Sequence, residues 1–206
     1  MGTPAPSQNL LRIKKWLLKI GRERASFWRA ITRSQGIDPF SNMIYKAFLA
    51  GGLGHAYATK ILSDLAFRAS RANVDLYTYL SRLHNQEQLN QLLRSLGAGN
   101  NEILAANSIL NIAQRFNITP NLPPMNTQTV NNLYQAILNA KGIGDWLGHF
   151  IIYDLIRIYD LPVPTNLEPS NRLLQNLTIL GIPPQVARQL FKPEDWPYID
   201  SAVWDL

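Results

Sequence analysis

The segment 138–148, Leu-Asn-Ala-Lys-Gly-Ile-Gly-Asp-Trp-Leu-Gly, decides how the fold of this chain is interpreted. It places Gly142 and Gly144 one residue apart, between two apolar patterns of helical spacing. Glycines at this spacing allow a tight turn in which backbone N–H groups meet a phosphate, and the following helix adds the partial positive charge of its N-terminus. The segment therefore predicts a helix-hairpin-helix that contacts nucleic-acid backbone, although a plain turn between two helices would use the same glycines.

The other residues of the segment have predicted roles around this turn. Ile143 is expected to point into the core and fix the turn, and Gly148 is small enough to let the two helices pack closely. Lys141, just before the first glycine, is predicted to contact a phosphate and not to act as a nucleophile. The predicted backbone-binding residues of the hairpin are therefore Lys141, Gly142, Ile143 and Gly144.

Apolar residues recur at helical spacing on both sides of the hairpin, and no alternating strand pattern of useful length interrupts them. The fold class predicted from these patterns is all-α. The expected helices cover residues 8–20, 25–33, 40–50, 56–69, 76–83, 86–96, 102–116, 130–138, 146–159, 169–180, 183–191 and 198–206.

The predicted organisation is one compact unit with three parts. The chain has 206 residues, of which 46% are apolar, so it can bury a sizeable core. Basic N-terminal helices over 1–34 are expected to pack on the core, and 35–117 are expected to form a first helical lobe. After a proline-bearing loop, 118–206 would hold the helix-hairpin-helix region and the C-terminal helices.

Charge favours a polyanionic partner, with 20 Lys and Arg against 14 Asp and Glu and a net charge of +6. The excess is concentrated before residue 34, where a solvated charged face is an equally good interpretation. Eight basic residues face one acid in that stretch: Arg12, Lys14, Lys15, Lys19, Arg22, Arg24, Arg29 and Arg33.

Several functions are excluded or not expected. The absence of cysteine removes disulfides, cysteine-ligated zinc, iron–sulfur clusters and thiol nucleophiles. His84 and His149 show no metal-ligand spacing, so neither a metal site nor another cofactor is expected. No run approaches 18 apolar residues and no signal-peptide pattern is found. The expectation is a cytoplasmic, nucleoid-associated protein with DNA as its partner, no membrane contact and no identifiable protein partner.

The order of elements around the hairpin resembles the helix-hairpin-helix DNA glycosylase superfamily. After the hairpin come an apolar helix, a proline-bearing loop and the run Leu167-Glu168-Pro169-Ser170-Asn171-Arg172. Upstream, Asp38-Pro39-Phe40 and the run 92–97 are similar to the family's early elements, and 198–206 is similar to the closing helix of some members. The resemblance covers roughly residues 35–206 and implies a two-lobed helical fold.

The resemblance implies excision of a damaged or modified base that is flipped out of DNA. It places the family's catalytic carboxylate at Glu168 and its basic residue, a backbone contact, at Arg172. Glu168 is equally well explained as an acid that stabilises a helix N-terminus. Asn166 is an alternative alignment for the carboxylate position, and an Asn there would indicate lost activity.

The chain departs from the family pattern at two places. Members with lyase activity carry lysine two residues after the second hairpin glycine, where this chain has Trp146, so the resemblance implies a monofunctional enzyme or none. Many members insert a Gln into the duplex from the position of residues 50–53, which hold no Gln here. Tyr57 or His55 would take that role, with Trp146 at the base pocket. The tryptophans at 16, 28, 196 and 204 are predicted to be core residues.

Two alternatives to a base-excision DNA glycosylase stay open at this stage. One is a helix-hairpin-helix protein that binds nucleic acid without catalysis. The other is a relative of the phage-associated members of this fold that modify thymine bases, for which the sequence offers no discriminating residue.

Overall fold

The computed structural model describes residues 7–52 and 54–204, which fold into α-helices and one short 3-10 turn without any strand. The predicted all-α class is confirmed, and no helix in these residues is both long and apolar enough to cross a bilayer. The helices are α1 (Gln8–Ser34), α2 (Pro39–Ala47), α3 (His55–Arg71), α4 (Leu76–Asn85), α5 (Leu89–Ser95), α6 (Asn100–Phe116), α7 (Thr127–Leu138), α8 (Asp145–Tyr159), α9 (Asn171–Ile179), α10 (Pro184–Leu190) and α11 (Trp196–Val203).

Helix α8 lies at the centre of the packing. It contacts α1, α2, α7, α9 and α11, and the residues buried along it include Ile151, Ile152 and Leu155. Buried apolar side chains from the N-terminal helix to the C-terminal one join into a single cluster around it. The hairpin segment therefore leads into the central helix of the described chain, which fixes the position of the turn.

The N-terminal region is a single 27-residue helix, whereas two helices over 8–20 and 25–33 were expected. Gly21 does not interrupt α1. A Cβ atom at Gly21 would lie 1.9 Å from the backbone oxygen of Tyr198, so the glycine is needed where α11 lies directly on α1. The prediction of a break at this point was wrong because glycine serves here as a contact residue.

Two of the four tryptophans predicted to be core residues are not. Trp16 and Trp28 are 59% and 55% exposed, while Trp196 is buried and Trp204 is partly buried. Trp16 lies on the outer face of α1, away from the stripe that begins at Leu17. Trp28 packs edge to face against exposed Phe27 and not against the core.

Several basic residues of α1 hold the helix to the rest of the protein. Lys14 Nζ lies 2.9 Å from Asp195 and donates to the Leu190 carbonyl at 2.6 Å. Arg29 donates to the Arg157 carbonyl at 3.0 Å. The basic residues of α1 that donate to the C-terminal half of the chain are Lys14, Arg24, Arg29 and Arg33. Part of the N-terminal positive charge therefore serves packing.

Candidate nucleic-acid interface

The hairpin between α7 and α8 sits directly on the first turns of α6. Gly142 has φ +80°, and a Cβ atom there would lie 2.6 Å from the Ala105 backbone nitrogen and 2.8 Å from the Asn101 oxygen. The Ser108 hydroxyl donates to the Lys141 carbonyl at 2.8 Å. Glycine is therefore required at 142 both by the left-handed backbone and by the close approach of α6.

Gly144, the second glycine of the hairpin, is held by neither constraint. Its backbone is extended, with φ −82° and ψ 171°, and a Cβ atom there would meet open space. Among the described residues, no acceptor takes the N–H groups of Gly144, Asp145 or Trp146. Ile143 between the glycines is buried, as the sequence predicts, and Gly148 packs against Ile137 and Leu138 of α7.

Two other helices of the described chain also begin at glycine N-caps: α6 meets the hairpin at Gly142, and the first turn of α3 meets the loop that precedes α6. Gly54 precedes α3 and Gly99 precedes α6, in each case without a side-chain cap. A Cβ atom at Gly97, in the loop before α6, would lie 2.7 Å from the hydroxyl of Tyr57 in α3. We call the surface around Gly54, Gly99 and Gly144 the glycine-capped end. It gathers helix N-termini whose partial positive charges favour an anion.

The only acidic residue in the first turn of α8 is engaged within the protein. The Asp145 carboxylate accepts from the Asn171 N–H at 2.8 Å and lies 3.2 Å from Nδ1 of buried His149. The other ring nitrogen of His149 lies 3.1 Å from the Tyr134 hydroxyl. Lys141 is exposed at the turn, and the Asp145 side chain remains 42% exposed beside it.

Trp146 and Arg172 are brought together beside the hairpin. The Arg172 guanidinium lies 5.0 Å from the centre of the Trp146 ring and 5.3 Å from that of Trp204. Trp146 also stacks on Phe150, and its buried Nε1 has no partner among the described residues. One face of Trp146 is therefore covered by a cation, while Arg172 remains exposed at the first turn of α9.

Glu168 lies on the surface before α9. Its side chain is 67% exposed and its Oε2 is 3.6 Å from Nε of Arg188, which is a weak surface ion pair. The helix begins only at Asn171, and the Ser170 hydroxyl, not Glu168, accepts the capping hydrogen bond from the Leu173 N–H at 3.1 Å. Asn166 is also exposed.

His55 and Tyr57, the two residues predicted to insert into the duplex, lie in different environments at the start of α3. His55 is exposed, and its Nδ1 lies 2.8 Å from the hydroxyl of Tyr45. The Tyr57 hydroxyl is buried against the loop at Gly97, with no hydrogen-bond partner among the described residues. Leu53, in the segment 50–53 where related proteins carry the inserted Gln, lies outside the residues that the structure describes.

A buried charge network in the second half of α8 was not predicted from the sequence. Asp154 lies 2.6 Å from Lys46 Nζ and 2.7 Å from Arg157 Nε, and Arg157 also lies 3.1 Å from Asp200. Burial alone would raise the pKa of Asp154, but the two cations together hold it below its usual range. An Asp–Arg pair three residues apart inside an otherwise apolar helix is the sequence signal that would have found it.

A pocket of about 300 Å³ opens beside the hairpin, lined by Gly51, Gly99, Asn100, Asn101 and Glu102. Asn101 is also the residue whose backbone oxygen contacts Gly142. The pocket therefore belongs to the glycine-capped end.

The chain matches no known protein family, no curated protein and no solved structure.

Proposed function

We propose that the chain binds the phosphate backbone of DNA at the glycine-capped end, with the hairpin as the principal contact. The observation that carries this proposal is that the N-cap of α8 is a glycine, Gly144. Ser, Asp or Asn would cap α8 better than glycine, and the open space at this residue would admit any of them. Glycine instead leaves the N–H groups of the first turn accessible to a phosphate oxygen from outside.

Charge and position support the same proposal. Lys141 is exposed at the turn, the Asp145 carboxylate accepts from the Asn171 N–H although it is 42% exposed, and the chain carries a net charge of +6. The first turns of α6 meet the hairpin at Gly142, and the first turn of α3 meets the loop before α6, so a DNA strand seated at the hairpin lies near further helix N-termini. A two-lobed arrangement like that of the helix-hairpin-helix glycosylases is part of this proposal.

Substitution of Gly144 by Ala separates binding from folding. Alanine fits the extended backbone and meets no atom. It is a poorer N-cap than glycine, and the lower entropy of the unfolded chain offsets part of that loss, so the free energy of unfolding should fall by at most about 1 kcal/mol. Its methyl group obstructs a phosphate at the α8 N-terminus, and we expect about tenfold weaker binding, the loss of one charge-assisted hydrogen bond. Fluorescence anisotropy with a labelled 20-base-pair duplex measures the affinity.

The matched charge variants are Lys141→Ala and Arg68→Ala. Arg68 is exposed near the far end of α3, roughly 20 Å along the helix from His55. Lys141→Ala should weaken binding and lower the salt slope by about one, whereas Arg68→Ala should leave both nearly unchanged. Wild-type affinity in both Gly144→Ala and Lys141→Ala would refute the hairpin as the binding element.

Base excision is the further activity that the resemblance implies, with Glu168 as its carboxylate. Stabilisation of the charge that develops on the sugar is strongest in a site from which water is excluded. Glu168 is largely exposed and lies beside Arg188, which favours the alternative of binding without catalysis at this residue. Incubation with duplexes that carry a panel of modified bases tests this. Base release that Glu168→Gln abolishes without loss of binding would establish Glu168 as catalytic.

A further inference from the structure

Exposed large hydrophobic side chains are concentrated on helix α1. Nine such side chains are exposed among the described residues, and the five that lie in α1 are Leu11, Ile13, Trp16, Phe27 and Trp28. The other four are spread over α3, α6 and the end of α9. Single exposed apolar residues are ordinary in soluble proteins, whereas a group of them on one element indicates an interaction surface.

Several apolar residues of α1 form one line along the helix. Residues three, four or seven positions apart share a face of an α-helix. The side chains that share the face of Trp16 lie within about 60° of one another, and we call them the outer stripe: Ile13, Trp16, Ile20, Phe27 and Ile31. The core cluster takes Leu17 from α1, with Leu10 and Leu18 at its edge, and none of the outer stripe. The outer stripe therefore lies outside the core, over about 27 Å of helix.

Cations lie beside the outer stripe on the solvent side of the helix. Arg12, Lys15 and Lys19 are exposed, and helical geometry places them opposite Leu17. They are distinct from the basic residues of α1 that donate to the C-terminal half of the chain. The single acid of α1, Glu23, lies 4.0 Å from Lys19. The exposed surface of α1 is thus apolar on one side and positively charged on the other.

Charge argues against a second copy of the chain as the occupant of the outer stripe. A symmetric contact uses the same surface on both molecules, so it would bring the cationic sides of two α1 helices towards each other. The single acid in each helix offsets only part of that repulsion. An anionic occupant, in contrast, is attracted by the same cations.

Among anionic occupants, the isoleucines of the outer stripe favour a lipid surface over nucleic acid. Phosphates pair with cations and bases stack on flat aromatic rings, so neither makes use of Ile13, Ile20 or Ile31. A helix on the surface of a bilayer places Trp, Phe and aliphatic side chains at the boundary between headgroups and acyl chains, with Lys and Arg on the headgroups. Both sides of the exposed surface of α1 then have partners.

We propose that α1 binds the surface of a bilayer that contains anionic phospholipids, with the outer stripe inserted below the headgroups and Arg12, Lys15 and Lys19 on them. A helix that lies along a surface need not be long and apolar enough to cross the bilayer. The expectation of no membrane contact concerned spanning segments and signal peptides, so it does not apply to such a helix. This binding is separate from DNA binding at the glycine-capped end and does not depend on it.

Cosedimentation of the whole protein with sucrose-loaded vesicles tests the proposal. One preparation contains phosphatidylcholine alone, and in the other roughly one lipid in three is phosphatidylglycerol. Each cation near an anionic surface tightens binding about fivefold, so at least about tenfold tighter binding to the phosphatidylglycerol vesicles is expected at low salt. Replacing both Arg12 and Lys15 by Ala should reduce this preference about tenfold or more.

Phe27→Ala and Phe67→Ala are a matched pair of variants. The two rings are 60% and 63% exposed, so neither truncation should disturb the fold, but only Phe27 belongs to the outer stripe. Phe27→Ala should bind the phosphatidylglycerol vesicles about tenfold more weakly, because affinity increases with the apolar area that is inserted. Phe67→Ala, in α3, should bind them like the wild type.

Several results would overturn the proposal. Equal binding to the two kinds of vesicle would do so, as would equal binding of Phe27→Ala and Phe67→Ala. Without vesicle binding, weaker duplex binding by Phe27→Ala would assign the outer stripe to nucleic acid, and a wild-type dimer that Phe27→Ala abolishes would assign it to a second copy. If neither is found, the occupant would be another protein. Gly144→Ala should bind vesicles like the wild type, so the two proposals can fail separately.

Discussion

Polar groups at the two ends of α8 differ in whether they have partners within the protein. Around Asp154, in the second half of the helix, Lys46, Arg157 and Asp200 are buried and paired with one another. At the first turn, the N–H groups of Gly144, Asp145 and Trp146 have no acceptor among the described residues. The difference teaches where to look for function, because polar groups that satisfy one another serve the fold, while unsatisfied ones are available to a ligand.

The same contrast holds for buried acids. Asp154 accepts from both Lys46 and Arg157, whereas Oε1 of Glu102 accepts from no described residue. Both carboxylates are almost wholly inaccessible to water. Burial alone therefore does not tell whether an acid is paired within the protein, whereas its hydrogen-bond donors do.

The largest effect is expected from Asp154→Ala, which disrupts the buried charge network in the second half of α8. It leaves Lys46 buried without its acid and removes one of the two acids of Arg157. Breaking a buried ion pair from one side costs about 3–5 kcal/mol, so the free energy of unfolding in urea should fall by that amount. DNA affinity per folded molecule should stay unchanged, since the hairpin is untouched.

Lowering the pH should reduce the difference in unfolding free energy between the wild type and Asp154→Ala. Because the pKa of Asp154 is lowered in the folded protein, its stabilisation is present above the unfolded pKa and is lost as pH falls through the folded one.

The double variant Lys46→Met with Asp154→Leu removes both charges and leaves Arg157 with Asp200. It should lose less stability than Asp154→Ala, and an equal or larger loss would contradict the assignment of the cost to a stranded charge.

A smaller effect is expected from Gly142→Ala, which strains the hairpin itself. The left-handed backbone and the contact with the Ala105 nitrogen together should cost about 3 kcal/mol in unfolding free energy. Gly144→Ala, two residues on, is the matched control and should lose at most about 1 kcal/mol. Equal stability of the two variants would show that Gly142 is not held as described.

Most of the helices and the place of the hairpin could be predicted because both follow from local signals. Apolar spacing marks helical segments, and Gly142 with Gly144 marks a turn. The continuity of α1 through Gly21 could not be predicted, since that glycine is needed for contact with Tyr198, which is distant in sequence.

The candidate site was only partly predictable for the same reason. The hairpin residues are adjacent in the chain, but Glu102 is brought to them only by the packing of α6. Nothing local distinguishes an acid in the first turn of a helix that is solvated from one that is buried. Glu168 was predicted to be catalytic because the order of elements around it resembles that of a known family. In the structure its side chain lies on the surface.

The smallest effect, and the sharpest test of the contrast within α8, is Gly144→Ser. A serine there can cap α8 as Ser170 caps α9, and the free energy of unfolding should rise by about 0.5 kcal/mol. The reciprocal control, Ser170→Ala, should lose about 1 kcal/mol and keep DNA affinity. If the first turn of α8 holds a phosphate, Gly144→Ser should bind DNA more weakly although it is more stable, since its hydroxyl occupies the donors. Greater stability with undiminished affinity would mean that those N–H groups were merely uncapped.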